Sequence, residues 1–475
     1  MKLLKKHWPI LTLIIIFSFI IFYRIDWLTL ANWDEAWYGS IARRISETGN
    51  FMKMDWRGKT YYHHPPLGFI LMAISIKIFG ITEFAVRFVS AFLGLGSVMI
   101  LYLIGKKLFK NDLVGIVASL ILGTSVWYLI RTRSGDLDSI FIFFSLLTVY
   151  FSLKVKENFN WFILTMIAFA CLIMSKTLAG ASVGLLIFFN NISDVFRSKK
   201  NFLKAIAGVL LFFAIVAPWY YVQLTSFEHF YEEHFIAVGM RNKSFSSMFH
   251  IETFLPMFYL HMGIRKWYYI WIASVGLIII TFRFIKKEFL MLLLWNLIVL
   301  YPFLTTNETH IWHLIPVYLP MSLIIAGGVY WGKELFIKIT RLKKLNWLAN
   351  IFYILFFVFI ASLQIKNFYK EVYPTSHFLP DDVDISKKAA KYTVPIYLDD
   401  NFTPVAVYYS GRPIYSLIDL PDPNKKAIPF FQNQQGEFVL ITRNYILREM
   451  DTAGLKYKIL DSNSFLSIIK KISSD

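Results

Sequence analysis

Residues 61–79 read YYHHPPLGFILMAISIKIF, and whether this stretch crosses a membrane decides the topology of everything after it. Its apolar part, Leu67 to Phe79, carries Lys77 and is only thirteen residues long. A helix needs about 20 apolar residues to span hydrocarbon, so the stretch reads as interfacial or re-entrant. Upstream, Lys2, Lys5 and Lys6 precede a first apolar run from Trp8 to Tyr23 and hold the N-terminus in the cytoplasm. Phe22, Tyr23, Arg24 and Trp27 stand where a signal-peptide cleavage site would need small residues, so this run is an uncleaved span. With Leu67–Phe79 not crossing, the clusters Lys106/Lys107/Lys110, Lys154/Lys156, Arg197/Lys199/Lys200, Arg283/Lys286/Lys287 and Lys333/Lys338/Arg341/Lys343/Lys344 all fall inside. With it crossing, all would fall outside.

Further spans follow at roughly 84–104, 113–130, 138–153, 160–174, 179–192, 203–221, 267–284, 289–304, 312–331 and 347–365, about eleven in total. The outer surface then holds loops 24–66, 131–138, 175–180, 222–266 and 305–311. Composition agrees: of 475 residues, 56% are hydrophobic and 18% aromatic, which excludes an ordinary soluble globule. The net charge of +18 resides in short clusters between apolar runs, the positive-inside pattern and not a nucleic-acid-binding face. Cys171 is the single cysteine, so packing and not disulfides must hold the fold. From 366 to 475 charges, prolines and short alternating runs replace the spans. Val394–Leu398, Pro413–Leu417, Phe438–Thr442 and Tyr457–Leu460 read as strands, Ile385–Tyr392 and Tyr445–Ala453 as helices. The fold class is thus an α-helical polytopic membrane protein, residues 1–365, followed by a small extracytoplasmic α/β domain, residues 366–475.

Residues capable of chemistry gather in the outer loops. Asp34 and Glu35 open a helix that stops near Gly49; either they cap it, as carboxylates at a helix N-terminus do, or one is a base for an attacking hydroxyl. His63 and His64 sit before the Pro65-Pro66 pair. Adjacent histidines lack the i, i+4 spacing of a helical zinc pair, so contact with an anionic headgroup or phosphate is the better reading. In 131–138, RTRSGDLD, Asp136 and Asp138 either pair with Arg131 and Arg133 or line a polar cavity. Lys176 is either a snorkelling anchor or a phosphate ligand. Residues 228–241 mix acids, His234 and Arg241 in what is either a solvated amphipathic helix or part of a site. His310 precedes a span broken by Pro316 and Pro320.

In order along the chain, Asp34-Glu35 with Tyr38 and Ile41-Ala42-Arg43, then His64-Pro65-Pro66-Leu67, Glu83-Phe84-Ala85-Val86-Arg87, Asp136-Leu137-Asp138, Lys176, Ala217-Pro218-Trp219 and Pro316 resemble the bacterial relatives of protein O-mannosyltransferases and aminoarabinose lipid A transferases, the GT-C glycosyltransferases. The resemblance runs over about Trp8 to Ile365. It implies transfer of a sugar, with inversion, from a polyprenyl-phosphate donor to a hydroxyl on a lipid, glycan or protein acceptor at the outer face of the cell membrane. It further implies Asp34 as general base, Glu35 orienting it or the sugar, Asp138 or Asp136 supporting the pocket, and His64, Lys176, Arg241 and His310 around the phosphate. Many relatives have Lys where this chain has His64, and often Lys near Thr309, His310 and His313. No cofactor is certain from the resemblance, which covers members with and without a divalent cation. The competing reading, a transporter or flippase of lipid-linked saccharides, calls for ionisable residues near mid-membrane, whereas the charges here collect at outer ends.

Overall fold

The computed structural model describes residues 2–176, 178–239, 265–280, 287–305, 310–372 and 380–472. The chain packs as two compact units: Met1–Tyr23, Tyr62–Gly68 and Val89–Pro374 form the first, Arg24–Tyr61, Phe69–Phe88 and Thr375–Asp475 the second.

Among the described residues, four helices are long and apolar enough to cross a membrane: Glu83–Phe109, Lys199–Ser226, Trp312–Thr340 and Lys343–Lys366. Shorter apolar helices include Trp8–Phe22, Trp161–Ser175, Ser182–Val195, Trp267–Ile280 and Phe289–Pro302, so the chain is a multi-pass membrane protein. The run expected as one span over 113–130 is two helices, Asp112–Gly123 and Val126–Thr132, bent by 71°. Its sequence explains the break. Thr124 and Ser125 turn their hydroxyls back onto the carbonyls of Leu120 and Ile121, both at 2.7 Å, and Gly123 lies against the Phe17 ring where a Cβ would collide. Within the first unit Asp138–Lys154 packs along Trp161–Ser175, which packs along Lys199–Ser226. Gly105 and Gly115 let the chain close tightly after Glu83–Phe109: a Cβ on Gly115 would lie 2.6 Å from the Tyr102 carbonyl oxygen.

The second unit holds a five-stranded mixed sheet in the order Ile414–Ser416, Ile396–Leu398, Val439–Arg443, Leu466–Lys471, Tyr457–Ser462. The first three strands run parallel, and Leu466–Lys471 pairs antiparallel with both of its neighbours. The four anticipated strands are present, while Leu466–Lys471 and the helices Thr403–Ser410 and Ala427–Asn433 were not anticipated. The same unit contains the helix Asp34–Thr48, ended by Gly49 at φ 74°. A small hairpin, Met54–Trp56 with Lys59–Tyr61, turns on Arg57 and Gly58, both at positive φ. Trp37 packs its ring 5.7 Å from Trp56 and 5.5 Å from Tyr61, fastening the hairpin to the helix. The thirteen-residue Leu67–Phe79 helix is present with its anticipated bounds.

Glu35 and Arg87 form the buried polar knot of this unit. Their side chains are 4% and 7% exposed, and the Arg87 guanidinium donates to both Glu35 oxygens, at 2.7 and 3.0 Å. Its remaining N–H groups reach the carbonyls of Ile25, Leu28 and Thr29. One arginine thereby orders both the helix start and the irregular chain before it. Arg87→Ala would leave a buried carboxylate and three carbonyls without their donors. We expect a loss of about 3–5 kcal/mol of stability, read as a lower unfolding midpoint in detergent, with Glu35→Gln losing less.

Candidate active site

The loop 131–138 of the first unit is built around one carboxylate. Asp138 is the first residue of its helix, and its backbone N–H donates to Asp136 Oδ1 at 2.8 Å, so Asp136 caps that helix from two residues upstream. Arg131 Nε lies 2.7 Å from Asp138 Oδ2 and 2.9 Å from Asp136 Oδ2. Lys176 Nζ donates to Asp138 Oδ1, the other oxygen. The two acids therefore sit in an ion network with Arg131 and Lys176. Arg133 is directed elsewhere, to the carbonyls of Ile20, Ile21 and Tyr23, where it closes the end of the first helix. Lys176 is no snorkelling anchor: its side chain is 16% exposed and turned onto Asp138.

Asp136 is fully buried; Arg131 lies within ion-pair distance of its Oδ2, but among the described residues that oxygen accepts no well-directed hydrogen bond. Burial pushes this carboxyl up to about 8; Arg131 pulls it down, the Asp138 charge adds to the rise, and Lys176 again opposes it. At neutral pH the loop thus holds one carboxylate, one carboxylic acid and two cations.

The expected histidines converge on the same unit. His64 keeps part of its ring open, but enclosure by protein, then the charges of Lys176, His63 and His234, hold it well below the ordinary histidine range against the opposing pull of Asp138. It is a neutral imidazole at pH 7, a hydrogen-bonding group and not a cation. Gly68, at the end of its segment, lies against Leu137, where a Cβ would overlap the leucine side chain. His63 pairs with Glu233 at 3.4 Å. His234 is fully buried, its Nδ1 3.1 Å from the Tyr62 carbonyl and its Nε2 3.3 Å from the Tyr220 hydroxyl, and burial lowers it to about 4. It holds Tyr62 in place as a neutral ring. His310 stacks on Trp312 at 4.5 Å, and Trp312 lies 5.0 Å from the Arg131 guanidinium, so His310 joins the cluster through an aromatic intermediary. Arg241 lies outside the described residues.

In the second unit, Asp34 is half-buried at the first turn of its helix, and Glu35 faces the core in its pair with Arg87. Successive helical residues point about 100° apart, which sends the two adjacent acids to different surroundings. Burial and the Asp34 charge together push the Tyr61 phenol well above its usual value. Sequence reading did not assign roles to Arg87, Trp312 or Glu233. Arg87 had a signal: an arginine inside an apolar helix requires a buried acid.

Among the described residues no three His, Cys, Asp or Glu side chains converge as ligands for a metal ion. Both Asp138 oxygens are already taken by Lys176 and Arg131, so this donor set does not fit a divalent cation.

A family model for dolichyl-phosphate-mannose-protein mannosyltransferase matches residues 63–221. An uncharacterised protein of Aquifex aeolicus is 26% identical over 220 residues, 44% of this chain and 43% of that protein. The undecaprenyl phosphate-α-4-amino-4-deoxy-L-arabinose arabinosyl transferase 1 of Pseudomonas fluorescens is 30% identical over 118 residues, 24% of this chain and 20% of its own. The matched stretches are thus less than half the length of these two relatives. The crystal structure of ArnT from Cupriavidus metallidurans bound to undecaprenyl phosphate superposes with a TM-score of 0.70 at 16% identity, covering 98% of this chain and 99% of that one. The chain is thus similar in sequence to these transferases over part of its length and shares the fold of ArnT.

Proposed function

We propose that this protein is an inverting glycosyltransferase that moves a sugar from a polyprenyl-phosphate donor to an acceptor hydroxyl at the outer face of the cell membrane. In this reading the chain has about eleven spans, a cytoplasmic N-terminus and an extracytoplasmic C-terminal domain, as the distribution of lysine and arginine favours. The observation that carries the reading is the pair of cations, Arg131 and Lys176, fixed on the buried Asp138 within a membrane unit. A pair of fixed cations in a water-poor site suits a phosphate on which charge develops as its bond to the sugar breaks. Undecaprenyl phosphate bound to the structurally similar ArnT is in keeping with it.

The proposed reaction gives each of these residues a step. Asp34 takes the proton of the acceptor hydroxyl as its oxygen attacks the anomeric carbon from the side opposite the phosphate. The bond between that carbon and the phosphate oxygen breaks, and its electron pair leaves with the polyprenyl phosphate. Arg131 and Lys176 take up the leaving charge, while neutral His64 offers a hydrogen bond. Glu35, fixed by Arg87, orients the helix that carries the base. His63, Asp136, His234, Arg241 and His310 complete the donor surroundings, Asp136 through the helix cap and His234 through Tyr62.

The reading is tested with a labelled sugar on a polyprenyl phosphate, turned over by purified protein in liposomes. Asp34→Asn is expected to lose about 10²- to 10⁴-fold in turnover with donor binding retained. Equal turnover removes Asp34 from the chemistry, and a wild type that flips the donor across the bilayer without transferring its sugar replaces the transferase by a transporter.

Asp136 holds its proton up to about 8, so raising the pH from about 7 to about 9 adds a negative charge beside Arg131, Asp138 and Lys176. Affinity for polyprenyl phosphate is expected to drop by about tenfold over this range in wild type and to stay flat in Asp136→Asn. Because the folded pKa lies above the unfolded one, Asp136's contribution to stability is whole at acid pH and is lost as pH rises through about 8. Identical profiles in the two proteins would remove Asp136 from the donor surroundings.

A further inference from the structure

Trp33, immediately before the proposed base, has a φ of 68° and a ψ of −125°, a positive-φ backbone that a bulky residue adopts only at a cost of about 1–3 kcal/mol. Its ring is 54% exposed, so the burial of its own side chain does not hold the turn in this shape. Beside the carbonyls of Trp33 and Ala31, which accept from the Trp37 and Ala36 N–H groups, the restraint comes from three consecutive residues upstream. The Leu30 N–H donates to the Tyr409 hydroxyl at 2.8 Å, the Ala31 N–H to Glu35 Oε2 at 2.7 Å, and Asn32 Nδ2 to the Asn401 carbonyl at 2.7 Å. Two of these three ties come from the C-terminal domain.

The same domain grips the base-bearing helix along its length. Thr403–Ser410 packs on Asp34–Thr48. The Tyr408 ring sits over Gly39, where a Cβ would come within 3.3 Å of it, and Arg43 Nη1 donates to the Tyr408 carbonyl at 2.7 Å. The Tyr409 hydroxyl, having accepted from Leu30, donates to Glu83 Oε1 at 2.9 Å, and Tyr408 donates to the Thr82 carbonyl at 3.3 Å. A domain whose task was only to recruit an acceptor would not need hydrogen bonds to the backbone a few residues before the base.

We infer that the C-terminal domain positions the base, with Tyr409 as the positioning residue that fixes the strained 30–33 turn and, through it, the direction of the Asp34 carboxylate. The inference rests on the transferase reading for its catalytic consequence, though not for the tether itself. Removing the Tyr409 hydroxyl leaves its ring packing intact but cuts the ties to Leu30 and Glu83. The turn then relaxes away from its positive-φ backbone, and Asp34 loses its aim without losing its charge.

The experiment uses full-length protein in liposomes and compares wild type with Tyr409→Phe in two ways. Turnover of the lipid-linked sugar is expected to show kcat lower by about tenfold or more, KM for the donor within about twofold, and an unfolding midpoint near that of wild type. Amide hydrogen exchange is expected to quicken at residues 30–37 and nowhere else in the helix. Unchanged exchange over 30–37 overturns the proposal, as does a drop in kcat that only parallels a drop in folded protein. Quickened exchange in a protein whose wild type turns over no lipid-linked sugar keeps the tether and overturns the transferase reading instead.

Discussion

Asp138 keeps its charge with only 8% of its side chain exposed, and the geometry around it follows from that requirement. A carboxylate taken from water costs several kcal/mol unless cations stand on it, and here Arg131 and Lys176 do so from two separate segments of the chain. Their convergence fixes the 131–138 loop, and Asp136 completes it by capping the helix while Ser90 donates to its carbonyl. A ligand phosphate could then enter a site whose cations are already held in place and need little reorganisation to meet it. The cost is carried by the folded state, in which Asp136 keeps a buried oxygen that has Arg131 nearby but accepts no well-directed hydrogen bond from the described residues.

The second unit solves a similar problem with different chemistry. Glu35 and Arg87 are both buried, and the guanidinium meets the carboxylate through two donors, a forked geometry that a lysine could not supply. Arg87 also gathers three carbonyls from the irregular stretch that leads into the helix. Its effect is to let a non-helical loop end abruptly in a helix whose first residue is an acid still in contact with solvent. Adjacent Asp34 and Glu35 look equivalent as letters. The 100° step of the helix separates them into a half-buried acid and a core ion pair.

How much of this could be read from the sequence depended on whether the signal was local. The Leu67–Phe79 helix, its proline start and its short length are local facts, and they were legible. The cluster of Arg131, Asp136, Asp138 and Lys176 was legible as a list of charges at outer ends, since such charges in a membrane protein call for partners. Which cation met which acid was not: Arg133 is two residues from Arg131, yet it serves the end of the first helix, over a hundred positions away. The bend at Gly123-Thr124-Ser125 was hidden because hydropathy continues across it, and only the hydroxyl back-bonding and the close approach of Phe17 reveal it. The strand Leu466–Lys471 pairs on one edge with the adjacent Tyr457–Ser462 and on the other with Val439–Arg443, more than twenty residues upstream, and this second pairing is a condition that a reading by local pattern does not register.

A histidine at position 64, rather than a lysine, has a physical sense in this setting. A second ammonium near Lys176 would have to bear both enclosure by protein and like-charge repulsion, and each lowers its pKa toward loss of the proton. Imidazole avoids the conflict by being neutral, as His64 is here, while still offering a hydrogen bond. The charge needed to hold a phosphate then falls on Arg131 and Lys176, with Asp138 opposing them and Asp136 protonated. In the proposed transfer, a group that contributes direction and not charge suits a leaving phosphate that must be let go. Binding the product less tightly than a third cation would is a gain in turnover wherever release limits the rate.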